Sequence, residues 1–248
     1  MRKVLFATIC LTALAASSFG QRFTAGFKAG VSSTTFGGDY TFKESSTMDN
    51  SNINEPTVGI FGSYKLTSFF SIQAEASYLT KGFDYQTKGS VNELVNALPQ
   101  YYNSYSGSMK LSYLEVPILA KFEIGNTLKL FANAGPSMNI VLGKGDCNHK
   151  TTSNSSGTLT TVEKTLNLKS SFNKVVLGAI ASVGVSYDIT PRIGCLAECR
   201  ISYDLTRSIP NKLIVDNPNM VDVPTYSIEF RNFHFTSYAV QGGLYYKF

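Results

Sequence analysis

From Tyr238 to the end of the chain every second residue (Tyr238, Val240, Gly242, Leu244, Tyr246, Phe248) is apolar or glycine, while Ala239, Gln241, Gly243, Tyr245 and Lys247 between them are mostly small or polar. A period of two predicts a strand with two unlike faces. An exposed alternating strand with a terminal aromatic is a free edge that invites pairing with other chains; a barrel whose last strand closes onto its first has no such edge. The rest of the chain is therefore expected to supply the other staves.

It does so in the same rhythm. Phe23, Ala25, Phe27, Ala29 and Val31 alternate with Thr24, Gly26, Lys28, Gly30 and Ser32 in a first strand. Val58, Ile60, Tyr64 and Leu66 mark a second, and Phe70, Ile72, Ala74, Ala76 and Tyr78 a third. The fourth, Met109 to Phe122, sets Leu114, Val116, Ile118, Ala120 and Phe122 against Tyr113, Glu115, Pro117, Leu119 and Lys121. A fifth follows from Leu128 to Leu142, a sixth from Val175 to Tyr187 and a seventh from Ile193 to Leu205. The closing strand is the eighth, with Tyr226, Ile228 and Phe230 as its outward extension.

The connections alternate between tight and long. Thr67-Ser68, Gly125-Asn126 and Asp188 to Pro191 are turn sequences. The segments 37–56, 81–108, 143–173 and 206–232 are polar and read as long loops. Within the second, Ser90-Val91-Asn92-Glu93 is a capping-box pattern opening a short helix through Leu94, Val95 and Leu98 that Pro99 ends. The third holds a Ser/Thr/Asn-rich tract, Thr151 to Thr161, read as exposed, with a hairpin near Leu159 to Leu168. The fold class is thus all-β: an eight-stranded antiparallel up-and-down transmembrane β-barrel with four long loops on one side.

Composition agrees, with charged residues at 16%, no tryptophan, and abundant Gly, Tyr and Phe among 248 residues. Residues 1–20 read as a cleaved secretory leader: Arg2 and Lys3, an apolar run from Val4 to Ala16, then Ser18-Phe19-Gly20 before Gln21. That run is too short for a spanning helix, and no later stretch is long enough. Residues 21–248 are then the barrel. Losing Arg2 and Lys3 lowers the net charge from +5 to +3, which gives no basis for nucleic-acid binding. Of the cysteines left, Cys195 and Cys199 lie four residues apart on one strand, roughly 13 Å and beyond disulfide reach; Cys147 is in the third loop.

Alternation alone does not decide whether the apolar phase faces lipid or a core, so a soluble lipocalin-like barrel competes. The tie-breaker is height. Phe23, Tyr64, Phe70, Phe122, Tyr187, Tyr246 and Phe248 gather near the tight turns, and Tyr78, Tyr203 and Tyr238 recur about eight to ten residues away. That is roughly 20–25 Å in tilted strands, the height of a lipid-facing band between aromatic girdles. The other phase carries Lys28, Glu75, Glu115, Glu198 and Arg200 at mid-strand among Gly and Ser, which suits a narrow lumen filled by a structural charge network.

Tyr113-Leu114-Glu115-Val116-Pro117-Ile118-Leu119-Ala120-Lys121-Phe122 resembles the Tyr-Leu-Glu-Ile-Pro strand of the PorT-like outer-membrane β-barrel proteins of Gram-negative bacteria. Leu177 to Tyr187, Arg200 to Leu205 and the final Leu244-Tyr245-Tyr246-Lys247-Phe248 are similar too. The resemblance implies residence in the outer membrane among its lipids, and assembly by the barrel insertion machinery with Tyr246 and Phe248 in the recognised signal. The family's naming member is linked to protein secretion, a role that loop-level similarity would have to support here.

For chemistry, only His149 and His234 are available as imidazoles; a lipid-modifying barrel enzyme would need a nucleophile or carboxylate beside its histidine, and serines near the rim are too common to mark one. Asp146, Cys147 and His149 in GDCNHK are a weak metal pattern, better explained as a solvated loop. Tyr101, Tyr102 and Tyr105 offer rigid amphipathic area, for a partner outside the cell or for the bilayer interface. The expectation is a monomeric integral outer-membrane barrel without cofactor or metal. It is a structural or interaction protein whose loops would meet an extracellular or envelope protein or a glycan. The competing classes are a narrow-channel or secretion/transport accessory barrel, a lipid-modifying barrel enzyme and the soluble ligand-binding barrel.

Overall fold

A computed structural model describes residues 22–42, 48–87, 103–142, 146–155, 158–167, 172–208 and 228–248. Ten strands are formed: β1 (Phe23–Phe42), β2 (Met48–Lys65), β3 (Phe70–Thr87), β4 (Asn103–Gly125), β5 (Leu128–Val141), β6 (Asp146–Ser155), β7 (Thr158–Asn167), β8 (Val175–Asp188), β9 (Ile193–Asp204) and β10 (Ile228–Lys247). Eight of them pair antiparallel in the order β3-β2-β1-β10-β9-β8-β5-β4, and β4 pairs back onto β3. The last strand lies along the first from Thr24↔Lys247 outward, so the ring has no free edge across its wall.

The register fixes the shape of the cylinder. Stepping between paired residues from Phe23 through Tyr64, Ile72, Ala120, Ala134, Ala181, Ile201 and Tyr238 returns to β1 at Ser33, ten residues further along. An eight-stranded ring with that stagger tilts its strands by about 40° and leaves an interior just wide enough for side chains to fill.

Polarity is reversed relative to a water-soluble barrel. Val31, Ile60, Ile118, Leu130, Val183 and Val240 all point outward with more than half their surface exposed. The inward phase buries Lys28, Gln73, Glu75, Glu115, Asn133, Glu198 and Arg200. An apolar wall around a polar filling is stable against hydrocarbon, with every ladder hydrogen bond internal to the ring. Tyr78, Tyr203 and Tyr238 ring the outer end of this wall, and Tyr64, Phe122, Tyr187, Tyr246 and Phe248 the turn end, all exposed. No helix among the described residues is long and apolar enough to cross a membrane.

Tight turns close one end. Thr67 Oγ1 accepts from the Phe70 amide at 3.1 Å, and Thr190 Oγ1 accepts from the Ile193 amide at 2.9 Å, so two turns use the same hydroxyl device. The third rests on Gly125 at φ 116°, where an added Cβ would run into the Leu128 carbonyl oxygen. Gly125→Ala is expected to cost about 1–3 kcal/mol, read as a lower urea midpoint of the refolded protein with its outward wall intact.

Two features differ from the sequence pattern. Strands continue well into 37–56 and 81–108: β1 reaches Phe42, β2 starts at Met48, β3 reaches Thr87 and β4 starts at Asn103. Their polar, glycine-bearing composition reads as loop, yet a ladder once begun is propagated by backbone pairing and does not need apolar side chains. In 143–173 the hairpin is larger than the one expected near Leu159 to Leu168. β6 and β7 pair from Asp146↔Asn167 to Ser155↔Thr158, so most of the Ser/Thr/Asn tract is strand, and β6 adds to the outer half of β4. β10 begins at Ile228, so Ile228 and Phe230 of the expected extension are strand, and Tyr226 lies outside the described residues. The expected helix through Leu94 lies outside the described residues.

Candidate functional site

The interior is stacked in layers set by the inward phase of each strand. Nearest the turns Phe61, Phe131, Leu196 and Tyr245, from β2, β5, β9 and β10, pack together across the lumen. Lys28 Nζ lies 5.6 Å from the centre of the Phe61 ring and Lys121 Nζ 4.8 Å from that of Phe131, so a cation stands over each of these two rings. Below it, at the turn end, Asp188 accepts from the Tyr245 hydroxyl at 2.6 Å and pairs with Lys247 at 2.5 Å and Lys129 at 3.0 Å.

Above it are the charged residues that the sequence places in the lumen. Lys28 Nζ donates to Glu75 Oε1 at 2.8 Å and to Glu198 Oε1 at 2.9 Å. Arg200 Nη2 donates to Glu75 Oε2 at 2.5 Å and stands 3.0 Å from Glu198 Oε1, while Nη1 is 3.7 Å from Glu115 Oε2. Gln73 Nε2 donates to Glu75 at 2.6 Å. All five expected residues, Lys28, Glu75, Glu115, Glu198 and Arg200, thus meet in one cluster.

Two further members escaped the sequence reading. Lys81 Nζ donates to Asp204 Oδ1 at 2.8 Å and lies 3.8 Å from Glu115, and Asp204 also accepts from Asn139 Nδ2 at 3.0 Å and Ser208 Oγ at 3.0 Å. The signal was present: the inward alternation Ser71, Gln73, Glu75, Ser77 continues unbroken to Lys81, which the polar composition had assigned to a loop. β3 and β9 lie on opposite sides of the ring, so Arg200–Glu75 and Lys81–Asp204 are both ties across its full diameter. Charges so far from water require partners; these ties supply them for Glu75 and Asp204 and fix opposite walls to each other, while Glu115 Oε1 and Arg200 Nε and Nη1 have no hydrogen-bond partner among the described residues.

The outer end is closed by an apolar layer that the sequence did not announce. Phe36, Leu79, Phe83, Tyr85, Met109, Leu111, Tyr113, Phe172, Phe233 and Phe235 form one buried cluster. The rings of Phe36 and Phe83 are 4.3 Å apart, and Phe233 and Phe235 meet edge-on at 4.9 Å. Two apolar layers therefore enclose the charged middle.

Sequence comparison agrees with this architecture. A family model described as "Outer membrane protein beta-barrel domain" matches residues 15–209. The chain belongs to this family. It is an integral barrel of the Gram-negative outer membrane, in contact with its lipids. Among solved structures, Neisserial surface protein A is 11% identical over 91% of this chain and 97% of its own, with a TM-score of 0.41. OprG from Pseudomonas aeruginosa is 8% identical over 91% and 97%, with a TM-score of 0.45. Ail, the attachment invasion locus protein of Yersinia pestis, is 10% identical over 90% and 99%, with a TM-score of 0.34. No curated protein matches the sequence.

The remaining candidates of the barrel are distributed as follows. Tyr246 and Phe248 sit on the lipid side of the turn end with their rings 5.0 Å apart, and Phe248 also reaches Phe23 at 5.5 Å. His234 is at the outer rim, where its Nε2 and the Tyr203 hydroxyl are 2.9 Å apart. Asp146, Cys147 and His149 fall on β6 and Tyr105 on β4, opposite Thr87; their side chains lie outside the description, as do Tyr101 and Tyr102 entirely. Cys195 and Cys199 are free thiols.

Proposed function

We propose that this barrel is a structural or interaction protein that works through its outward surfaces and carries nothing through its interior. One observation carries the reading: the lumen is filled by a charge network between two packed apolar layers, while β1 to β4, β10 and the β6–β7 hairpin extend far past the lipid-facing wall. An outer-membrane barrel with a blocked core and a tall outer sheet has its usable area outside. The partner class is an extracellular or envelope protein or a glycan, with Tyr101, Tyr102 and Tyr105 as contact residues.

The same reading takes residues 1–20 as the export leader and 37–56, 81–108, 143–173 and 206–232 as the outward face. It takes Tyr246 and Phe248 as the signal read during insertion, and the PorT-like group as the subfamily, supported by the Tyr113 to Phe122 strand. The lumen residues Lys28, Glu75, Glu115, Glu198 and Arg200 are structural.

Planar-bilayer recording of the refolded protein tests the closed interior: no resolved conductance steps are expected. Regular steps that disappear on deleting the outer sheet would overturn the reading in favour of a narrow channel. His234→Ala is expected to leave lipid A composition unchanged in producing cells; altered acylation would move the barrel to the lipid-modifying enzymes.

A further inference from the structure

The turn end of the lumen is crowded with lysines. Lys65 on β2, Lys121 on β4, Lys129 on β5 and Lys247 on β10 continue the inward phase of Ser63, Leu119, Phe131 and Tyr245, so their charges face the water beneath the barrel and not the bilayer. Two carboxylates answer them. Glu123 lies 3.6 Å from Lys65 and 3.4 Å from Lys121, while Asp188 takes both Lys129 at 3.0 Å and Lys247 at 2.5 Å on the same oxygen, Oδ2. Lys129 also interacts with Glu123 and Lys121, which joins the two groups into one cluster.

Four lysines thus share two carboxylates, an excess of two positive charges. The cluster is largely withdrawn from water: the side chains of Lys121 and Lys129 are only 11% and 13% exposed. The rest of the chain does not cancel the excess. Residues 1–21 contain no Asp or Glu, and the other stretches outside the described residues join strands at the opposite end. Arg22 and Arg192, both exposed at the turn end, outnumber any carboxylate at Phe248. Across the apolar layer the charged middle sets Lys28, Lys81 and Arg200 against Glu75, Glu115, Glu198 and Asp204. That is a surplus of one carboxylate, so at least one positive charge at the mouth stays unanswered.

We propose that this mouth binds a soluble phosphate, inorganic or a monoester, from the periplasmic side, held by Lys129 and Lys247 with Lys121 beside them. Two ammonium groups on one carboxylate oxygen repel each other, and a second acceptor between them relieves both. Charges of one sign within low-dielectric walls focus their field at an opening and concentrate anions there. A phosphate monoester brings three strong acceptor oxygens and a charge of about −1.5 to −2, which matches the excess. The inward phase of the lysines selects a soluble anion over a lipid headgroup, and the layer of Phe61, Phe131, Leu196 and Tyr245 leaves the site open only downward. The site lies at the opposite end from the partner-binding surfaces of the preceding section, so it stands or falls independently of them.

Isothermal titration of the full refolded barrel with inorganic phosphate, in zwitterionic micelles at fixed ionic strength, is the test. The wild type is expected to bind saturably at one site. Lys129→Gln with Lys247→Gln is expected to weaken binding by roughly a hundredfold, about tenfold for each hydrogen bond to a charged group. Glu123→Gln removes a competing carboxylate and is expected to tighten binding several-fold, a gain that a damaged fold does not produce. Arg192→Gln also loses a cation, but on the outer face of the same end, where Arg192 donates to the Tyr246 hydroxyl at 3.4 Å, and is expected to bind as the wild type does. Phosphatidic acid added to the micelles is expected not to displace phosphate. A wild type without saturable binding, a double lysine variant that binds unchanged, weaker binding in Glu123→Gln or a comparable loss in Arg192→Gln would each overturn the proposal. Displacement by phosphatidic acid would overturn it too, by making the ligand a lipid headgroup. Retention of the heat-dependent gel shift of a folded barrel in all variants separates loss of the site from loss of the fold.

Discussion

Arg200→Ala is expected to be the most damaging single change in the lumen, lowering stability by about 3–5 kcal/mol, because it leaves buried carboxylates without their cation. The size follows from what Arg200 holds. Its guanidinium reaches Glu75 on the opposite wall, Glu198 two residues away on its own strand and Glu115 on β4. Removing it leaves Glu75 with Lys28 and Gln73, leaves Glu115 with only the 3.8 Å contact to Lys81, and opens a gap between the two apolar layers. The companion substitution distinguishes charge from packing. In Arg200→Met with Glu75→Gln the diametral pair is replaced by groups of similar volume with no net charge change, and most of the loss is expected to return, since a buried ion pair is about as stable as a well-packed neutral substitute. Urea unfolding in vesicles followed by tyrosine fluorescence and the heat-dependent gel shift measures both. A single variant within about 1 kcal/mol of the wild type would mean that water in the lumen already screens these charges.

That pair also shows why part of the site was legible and part was not. Glu75, Glu115, Glu198, Arg200 and Lys28 stand in the minority phase of strongly alternating strands, where a charge in a period-two pattern has only the lumen to point into. Their mutual contact then follows from the small diameter of an eight-stranded ring. Lys81 obeys the same rule but was masked by the Gly, Asp, Gln and Thr that follow it, a composition that looks like loop. The closure of β10 on β1, the alternation of tight and long connections and the outward aromatics were likewise visible, being properties of one strand or one turn. The outer apolar layer was not. It exists because the inward phase changes character along the same strand, from Lys28, Ser32 and Thr34 to Phe36 on β1, and from Gln241 and Ser237 back to Phe235 and Phe233 on β10. A reader of alternation sees two apolar phases in succession and has no local means of knowing that the second lies inside. The β6–β7 hairpin was underestimated for a related reason, since Ser, Thr and Asn pair as strands when a neighbouring edge, here the outer half of β4, is available to template them.

The second large effect belongs to that outer layer. Pairing between β1 and β2 stops at Thr34↔Ile53; further out β1 stays with β10, and β2 stays with β3. Above this point the wall is therefore two ribbons, and among the described residues no backbone ladder joins β1 to β2. What bridges them is aromatic. Phe83 on β3 meets Phe36 on β1 at 4.3 Å and Phe233 on β10 at 5.7 Å, while Phe36 stacks on Phe233 at 5.3 Å. Phe83 is 1% exposed. Its truncation to Ala removes the ring common to both ribbons and is expected to cost about 3–5 kcal/mol at that site. The loss is expected to be local, because the ring below Thr34 keeps all its ladders and its diametral ion pairs. Hydrogen exchange should therefore rise in 35–37 and 79–87 and stay near wild type in β5, β8 and β9, and protease should trim the outer sheet while the heat-dependent gel shift persists. Phe83→Leu, which keeps most of the apolar volume, is expected to restore protection to within about 1.5 kcal/mol. Uniform loss of protection through the whole barrel would show instead that the aromatic layer and the membrane-embedded ring fold as one cooperative unit.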